Sequence, residues 1–187
     1  MADTYTKILI HCVFSTKNRT PQITQPEKLW TFLRGIARNH GVDVLAVGGT
    51  ANHVHILLAL PSIVTVSNLV RDLKANSSRH LNEKQRGFAW QDGYAAISVS
   101  PSQIEMVRKY IDTQDAHQAK WSFESEYIGI LEKSGVRRST EYLWIDADSG
   151  SSPRRNRGAA LRLVLSGSTC IAMDVVMLTL TKNRFAG

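Results

Sequence analysis

The stretch that decides the fold is Asn52–Leu60, with the sequence NHVHILLAL. Side chains in a β-strand alternate between two faces, so His53 and His55 are expected to share one face. The opposite face carries the apolar residues Val54, Ile56, Leu58 and Leu60. Because the apolar residues belong in a core, the two imidazoles are expected to point outward together.

The segments around this strand predict an α+β protein with the ferredoxin-like order β-α-β-β-α-β and an antiparallel sheet. Strand-like runs occupy Thr4–Ser15, Val42–Val47, Asn52–Leu60 and Tyr94–Val99. Apolar residues at helical spacing predict helices that begin at Pro26 and Val66. Gly48 and Gly49 predict a tight hairpin turn before the histidine strand. In such a fold one sheet face stays available for a site.

A further helix is expected to follow this unit at its C-terminal end. Ser100–Gln103 offers an N-cap serine, a proline at the first helical position and a capping-box glutamine, and the helix should run to about His117. Tyr110 and Gln114 are four residues apart on it, so they present a joint surface. Two imidazoles, a phenol and an amide oxygen suffice for a metal site beside a nucleophile.

The composition favours an anionic partner. The formal net charge is +7, and residues 1–100 carry 11 Lys and Arg against 6 Asp and Glu. Nucleic acid is the commonest partner of such a surface. Arg71 and Lys74 are expected on an exposed basic face of the helix that begins at Val66. The alternative, that this charge only solvates the surface, stays open.

The length and composition predict one domain of ordinary size with an appendage. At 187 residues and 43% apolar content the chain fits a single core, and residues 1–146 are expected to form it. A further helix is expected over Glu124–Ser134. Directly after Asp146 the composition becomes Ser-, Gly- and Arg-rich, and the later run Cys170–Leu180 is apolar but short. Residues 147–187 are therefore expected to be an atypical basic tail, either disordered, read through past the normal end, or used as an arm for DNA. No run reaches a membrane span, so a cytoplasmic location is the default expectation.

The histidine pair is weak evidence when it is taken alone. Two strand histidines also occur in solvent or in a polar layer, while imidazoles that bind a metal need a third ligand. A tyrosine has an ordinary pKa of ~10, so its attack at neutral pH needs help from a metal or a positive neighbour. His11 lies in the first strand, and strand parity does not decide whether it faces the site.

At this point the residues resemble a known family. His53-Val54-His55 and Val107–Gln114 (VRKYIDTQ) are similar to the two signature motifs of the single-tyrosine HUH transposases, including the REP-associated tyrosine transposases. The likeness extends over residues 4–146 and includes the stretches Phe14–Lys17, Leu73–Arg79, Trp90–Tyr94 and Glu141–Trp144.

The resemblance implies a metal-dependent single-stranded DNA endonuclease and strand transferase that catalyses DNA transposition. His53, His55 and Gln114 would hold one Mg²⁺ or Mn²⁺ that orients the scissile phosphate. Tyr110 would be the nucleophile and would form a 5′-phosphotyrosine and a free 3′-OH. No nucleotide cofactor is expected, because the linkage remains a phosphodiester and the chain lacks a Walker glycine loop.

The resemblance also implies the partners. Single-stranded DNA with a hairpin would be the substrate, and a homodimer would complete each site with the tyrosine helix of the partner. The helix of Tyr110 should therefore be exchanged between subunits or move between two positions. Arg71, Lys74 and Arg79 are the candidates for contacts to DNA phosphates, by position and by similarity.

Two alternatives remain at this stage. The first is a domesticated or inactive DNA-hairpin-binding module of the same fold, against which the intact His53, His55, Tyr110 and Gln114 argue. The second is an HUH relaxase or replication initiator, but such chains usually carry a third histidine in the motif and further domains.

Overall fold

The computed structural model describes residues 5–83, 85–114 and 122–136. The strands in these ranges are β1 (Ile8–Ser15), β2 (Asp43–Thr50), β3 (His53–Leu60) and β4 (Ala95–Ser98). The helices are α1 (Pro26–Asn39), α2 (Val66–Asn82), α3 (Ile104–Asp112) and α4 (Phe123–Lys133), with 3-10 turns at Lys17–Arg19 and Pro101–Gln103. The predicted tail at 147–187, the motif Glu141–Trp144 and His117 lie outside the described residues.

The strands form one sheet in the order β2-β3-β1-β4, and each neighbouring pair is antiparallel. The elements before α3 therefore follow β-α-β-β-α-β, which confirms the ferredoxin-like prediction. β1 and β3 are the inner strands of this sheet. Their register sets Ser15 opposite His53 and His11 opposite Leu57.

The core lies between the sheet and the helices α1 and α2. The apolar face of β3 is fully buried there, as the alternation predicted, together with residues of the two helices: Val54, Ile56, Leu58, Leu33, Leu69 and Leu73. Full burial of one such side chain contributes roughly 1.5–3 kcal/mol relative to exposure. This packing fixes the register of β3 and with it the face on which its histidines lie.

The first strand is shorter than its sequence pattern predicts. It begins at Ile8, whereas Tyr5 is 89% exposed and lies outside the sheet. Ile8 pairs with Leu60, and Pro61 ends β3 directly after that pair. Residues 5–7 therefore have no residue of β3 beside them to extend the ladder.

The predicted turn at Gly48 and Gly49 is wrong, because both residues lie within β2. The chain turns at Ala51 and Asn52 instead. The glycines allow close approach: a Cβ at Gly48 would lie 2.6 Å from the Ile111 carbonyl oxygen of α3. Gly49 has φ +149°, and a Cβ there would lie 2.2 Å from the His53 carbonyl oxygen. Gly48 thus marks where α3 packs on the sheet, and Gly49 marks a close approach to β3; neither forms the hairpin turn.

The start of α3 also differs from the prediction. Pro101–Gln103 forms a 3-10 turn, and the α-helix begins at Ile104. The capping box does not form, because the Ser100 hydroxyl makes no cap bond and contacts the Ser102 hydroxyl at 2.9 Å. The Ser100 hydroxyl therefore bonds to Ser102 instead of capping the helix, and the 3-10 turn connects β4 to α3.

The chain divides into two compact units, Met1–Ile128 and Gly129–Gly187. In the second unit, α4 ends at Lys133 and the chain turns at Gly135, which has φ +66°. No helix within the described ranges is both long and apolar enough to cross a membrane.

Candidate active site

The two motif histidines lie on the same face of β3, as the alternation predicts. They are not exposed, however: both side chains have 0% exposure. The ring of Phe123 in α4 stacks on the His53 ring, with centroids 4.4 Å apart. The Tyr110 ring of α3 meets the His55 ring edge-on, with centroids 5.7 Å apart. The face that sequence analysis expected to be open is therefore covered by α3 and α4.

His53 is oriented by its neighbours on the β2–β3 turn. Its Nδ1 lies 2.7 Å from Asn52 Oδ1 and 3.1 Å from Thr50 Oγ1. An amide oxygen only accepts hydrogen bonds, and Nε2 also faces one, the Gln114 Oε1 at 3.3 Å. The shorter contact with Asn52 favours the tautomer that carries the hydrogen on Nδ1 and keeps a lone pair on Nε2. Burial lowers the pKa of His53, although the negative charge of Glu126 opposes this shift. The neutral imidazole, the form that binds metals, is therefore favoured.

His55 is oriented from the opposite side, by β1. Its Nδ1 lies 3.1 Å from His11 Nε2, and its Nε2 lies 3.5 Å from Glu126 Oε1. Burial lowers the pKa of His11 to about 4, so this third imidazole stays neutral near neutral pH. The question that strand parity left open is thus answered: His11 faces the site.

Tyr110 and Gln114 share one margin of α3 and meet a common partner. The Tyr110 hydroxyl and the Gln114 amide both donate to Glu126 Oε1, the amide over 2.9 Å. The amide oxygen of Gln114 lies 3.3 Å from His53 Nε2. Burial raises the pKa of Tyr110 well above its usual range, and the charge of Glu126 and its hydrogen bond add to this effect. The phenol is therefore protonated in this arrangement.

Glu126 of α4 is the residue that sequence reasoning missed. Its side chain is only 8% exposed, and its Oε2 lies 3.8 Å from His53 Nε2. A signal was available in the sequence: Phe123, Glu126, Tyr127 and Ile130 follow helical spacing, which sets a carboxylate beside the apolar stripe. Carboxylates are rarely buried without a partner, so the sequence indicates that Glu126 needs one.

Three of these side chains offer metal-ligand atoms close to one another. Ligand atoms of His53, His55 and Glu126 all lie within 4.8 Å of one another, and this His-His-Glu group could bind a divalent metal. Imidazole nitrogens and a carboxylate are donors that transition metals accept, and the nearby Gln114 oxygen is of a kind that Mg²⁺ and Mn²⁺ also accept. The donor chemistry therefore fits the cation that the resemblance implied.

The predicted DNA-contact residues lie elsewhere, on α2. Arg71 is exposed and pairs with Asp72 at 3.0 Å, and Arg79 is exposed beside Asn76. Lys74 departs from the expected exposed face, because it is partly buried. Its ammonium donates to two backbone carbonyls of residues 91–93, over 2.6 and 2.7 Å, and so fastens α2 to the loop before β4.

Comparisons with known proteins agree with this architecture. The ISDra2 transposase TnpA of Deinococcus radiodurans is 31% identical over 90 residues, which cover 44% of this chain and 64% of that protein. The chain thus spans less than two thirds of the length of this relative.

Two solved structures are similar. A proposed transposase from Deinococcus radiodurans matches with a TM-score of 0.50 at 23% identity, over 61% of this chain and 95% of that chain. A REP-associated tyrosine transposase, solved bound to a REP hairpin, matches with a TM-score of 0.47 at 15% identity, over 88% of this chain and 98% of that chain.

The family assignment rests on the match to a family model. The family model described as IS200-like transposase covers residues 4–114, which is more than half of the chain and includes the histidine pair, Tyr110 and Gln114. The resemblance seen in the motifs is confirmed: this protein belongs to the IS200-like transposase family.

Proposed function

We propose that the protein is a metal-dependent single-stranded DNA endonuclease and strand transferase that catalyses transposition through a 5′-phosphotyrosine. The observation that carries this proposal is the convergence of a phenol with two imidazoles. The Tyr110 hydroxyl and the His55 Nε2 both approach the same carboxylate oxygen, Glu126 Oε1. A nucleophile and a set of metal donors within one hydrogen-bonded cluster are what such a reaction requires.

The metal would be Mg²⁺ or Mn²⁺, held by His53 and His55 together with Gln114 and Glu126. When bound, it would polarise and orient the scissile phosphate. Asn52 keeps the Nε2 lone pair of His53 directed at this position, as its 2.7 Å contact with Nδ1 indicates. Such outer partners of a ligating histidine fix both its tautomer and its ring orientation.

The covalent step is an in-line displacement at phosphorus. The phenolic oxygen of Tyr110 forms a bond to phosphorus, and the bond from phosphorus to the 3′ oxygen breaks. That oxygen takes up a proton and leaves as a free 3′-OH. The phenolic hydrogen already points at Glu126 Oε1, so this carboxylate is positioned to accept it. A second 3′-OH can reverse the step and rejoin DNA without a nucleotide cofactor.

DNA must gain access to side chains that are buried. Both imidazoles have 0% exposure beneath α3 and α4, so one of these helices has to move for a phosphate to reach them. This agrees with the expectation that the helix of Tyr110 moves or is exchanged within a homodimer. We propose the homodimer, and the hairpin as the recognised DNA feature, on the resemblance to the family.

We propose that Arg71, Lys74 and Arg79 contact DNA phosphates. The two arginines support this role because their guanidinium groups are exposed on α2. Lys74 supports it less, since its ammonium is already bonded to the carbonyls of Gln91 and Gly93. We also retain 1–146 as the catalytic domain and 147–187 as an appended tail.

The decisive experiment uses a hairpin-bearing single-stranded oligonucleotide with Mn²⁺ and denaturing gels. We expect a covalent adduct that disappears in Tyr110→Phe and in EDTA. Tyr127→Phe is a matched control, because Tyr127 is also a partly buried tyrosine near the site but has no proposed chemical role. Hairpin binding without an adduct across varied substrates would support the inactive DNA-binding module instead.

A further inference from the structure

The proposed reaction assigns no role to one buried imidazole, that of His11. His11 of β1 is 3% exposed and lies on the site face of the sheet, opposite Leu57. Its cross-strand neighbour on the other side is Ile97 of β4. A polar ring between two apolar neighbours is costly to bury unless its nitrogens make hydrogen bonds.

The contact between His11 and His55 has the geometry of a hydrogen bond. The nitrogens His11 Nε2 and His55 Nδ1 are 3.1 Å apart. The ring centroids are 5.2 Å apart and the ring planes differ by 28°, so the rings meet at their edges rather than face to face. Two neutral imidazoles in this arrangement share one hydrogen, because one nitrogen must donate and the other must accept.

The position of that hydrogen decides what His55 can do. If His11 donated it, the hydrogen of His55 would sit on Nε2, which points toward Glu126 Oε1 at 3.5 Å. A protonated Nε2 has no lone pair for a metal. If His55 donates from Nδ1, its Nε2 lone pair is directed at the metal position instead.

We propose that His11 is a positioning residue that accepts the hydrogen bond from His55 Nδ1 and holds His55 in the tautomer that binds metal through Nε2. This rests on the proposed function, because it assumes that His55 is a metal ligand. His11 itself touches neither substrate nor metal. Its role is to keep the Nε2 lone pair of His55 available to the metal.

The other histidine of the pair supplies an internal comparison. His53 Nδ1 meets Asn52 Oδ1, an amide oxygen that can only accept, at 2.7 Å. His11 fills the corresponding position for His55, but an imidazole nitrogen can accept or donate. A glutamine at position 11 extends an amide oxygen about as far as His Nε2 and would make the two sides of the site alike.

The test uses the full chain with His11→Gln, which keeps an acceptor, and His11→Leu, which fills similar space without one. The main readout is the Mn²⁺ dissociation constant, measured by electron paramagnetic resonance without DNA. We expect His11→Leu to weaken Mn²⁺ binding by about 10–100-fold. This is the usual effect of removing the hydrogen-bond partner of the ring nitrogen that does not bind the metal. His11→Gln should bind Mn²⁺ nearly as the unsubstituted protein does.

Thermal unfolding in EDTA separates this role from packing. We expect His11→Leu to keep its metal-free unfolding temperature while losing Mn²⁺ affinity. Equal losses of Mn²⁺ affinity in both variants, or no loss in His11→Leu, would overturn the proposal.

The same measurements distinguish a failure of the proposed function from a failure of the role of His11. If the unsubstituted protein binds Mn²⁺ but forms no Tyr110-dependent adduct, the endonuclease assignment fails and the role of His11 stands. If it binds no Mn²⁺ at all, the role of His11 is overturned together with the metal site.

Discussion

Gly48→Ala should damage the site mainly by displacing α3, which carries Tyr110; Gly48 is also the cross-strand partner of His55. The added Cβ would lie 2.6 Å from the Ile111 carbonyl oxygen, whereas even tight contacts of a Cβ lie at 3.0–3.4 Å. α3 would have to retreat by about 0.4–0.8 Å, and overpacking of this kind costs about 1–3 kcal/mol. Tyr110 precedes Ile111 on the same helix. Misplacement of a reacting group by about 1 Å can cost 100-fold in rate, so we expect adduct formation to slow by about 10–100-fold.

Chemical denaturation and the adduct assay measure the two effects separately. Gly35→Ala is the matched control, because a Cβ at this position in α1 has no atom within 4 Å. That variant should keep its activity and gain roughly 0.5–1 kcal/mol of stability, since alanine is favoured over glycine within a helix. If Gly48→Ala formed the adduct at the normal rate with normal stability, the inferred close packing of α3 on β2 would be refuted.

Three further substitutions probe other parts of the account. Burial and then the negative charge of Glu126 raise the pKa of Tyr110. Glu126→Gln removes that charge together with the proposed proton acceptor, so adduct formation should slow and its pH profile should shift toward lower pH; an unshifted profile would argue against this contact. Lys74→Met should lower the free energy of unfolding by about 1–3 kcal/mol, because two charge-assisted hydrogen bonds to residues 91–93 are lost. An effect on DNA affinity alone would assign Lys74 to the DNA surface instead. Arg79→Ala should weaken oligonucleotide binding similarly across sequences and reduce its salt dependence by about one ion, as a filter-binding salt titration would show.

The sequence predicted most of the fold because its elements depend on local periodicity. The alternation in Asn52–Leu60 fixed both the strand and the face of its histidines, and the observed β3 differs by one residue. The helix predicted over Glu124–Ser134 is found at Phe123–Lys133. These features follow from spacing along the chain and need no knowledge of what packs against them.

The errors arose where distant segments meet. Gly48 and Gly49 carry a turn signal, but the missing side chain of Gly48 allows the approach of Ile111, more than sixty residues away, and that of Gly49 allows the approach of the His53 carbonyl in β3. The histidines were expected to be exposed because the pattern of β3 alone cannot show that α3 and α4 cover them. Lys74 was likewise predicted to be exposed from its position on the helix, but its ammonium donates to carbonyls of the loop at residues 91–93.

Only part of the site was predicted, because some of its residues come from segments that are distant in sequence. His53, His55, Tyr110 and Gln114 converge, as their spacing and the family resemblance suggested. Glu126 was missed because the spacing within its own helix does not show its distant partners, which are His53, His55 and Tyr110. The roles of all these residues in catalysis remain predictions.

The central claim is that Tyr110 becomes covalently linked to the 5′ phosphate of cleaved DNA. The most direct measurement is mass spectrometry of the adduct after the DNA is trimmed by nuclease and the protein is digested with trypsin. Cleavage after Lys109 and Lys120 gives the peptide Tyr110–Lys120, and the account predicts that this peptide carries a 5′-linked nucleotide on Tyr110. A nucleotide on any other residue, a 3′ linkage, or an adduct that persists in Tyr110→Phe would contradict it.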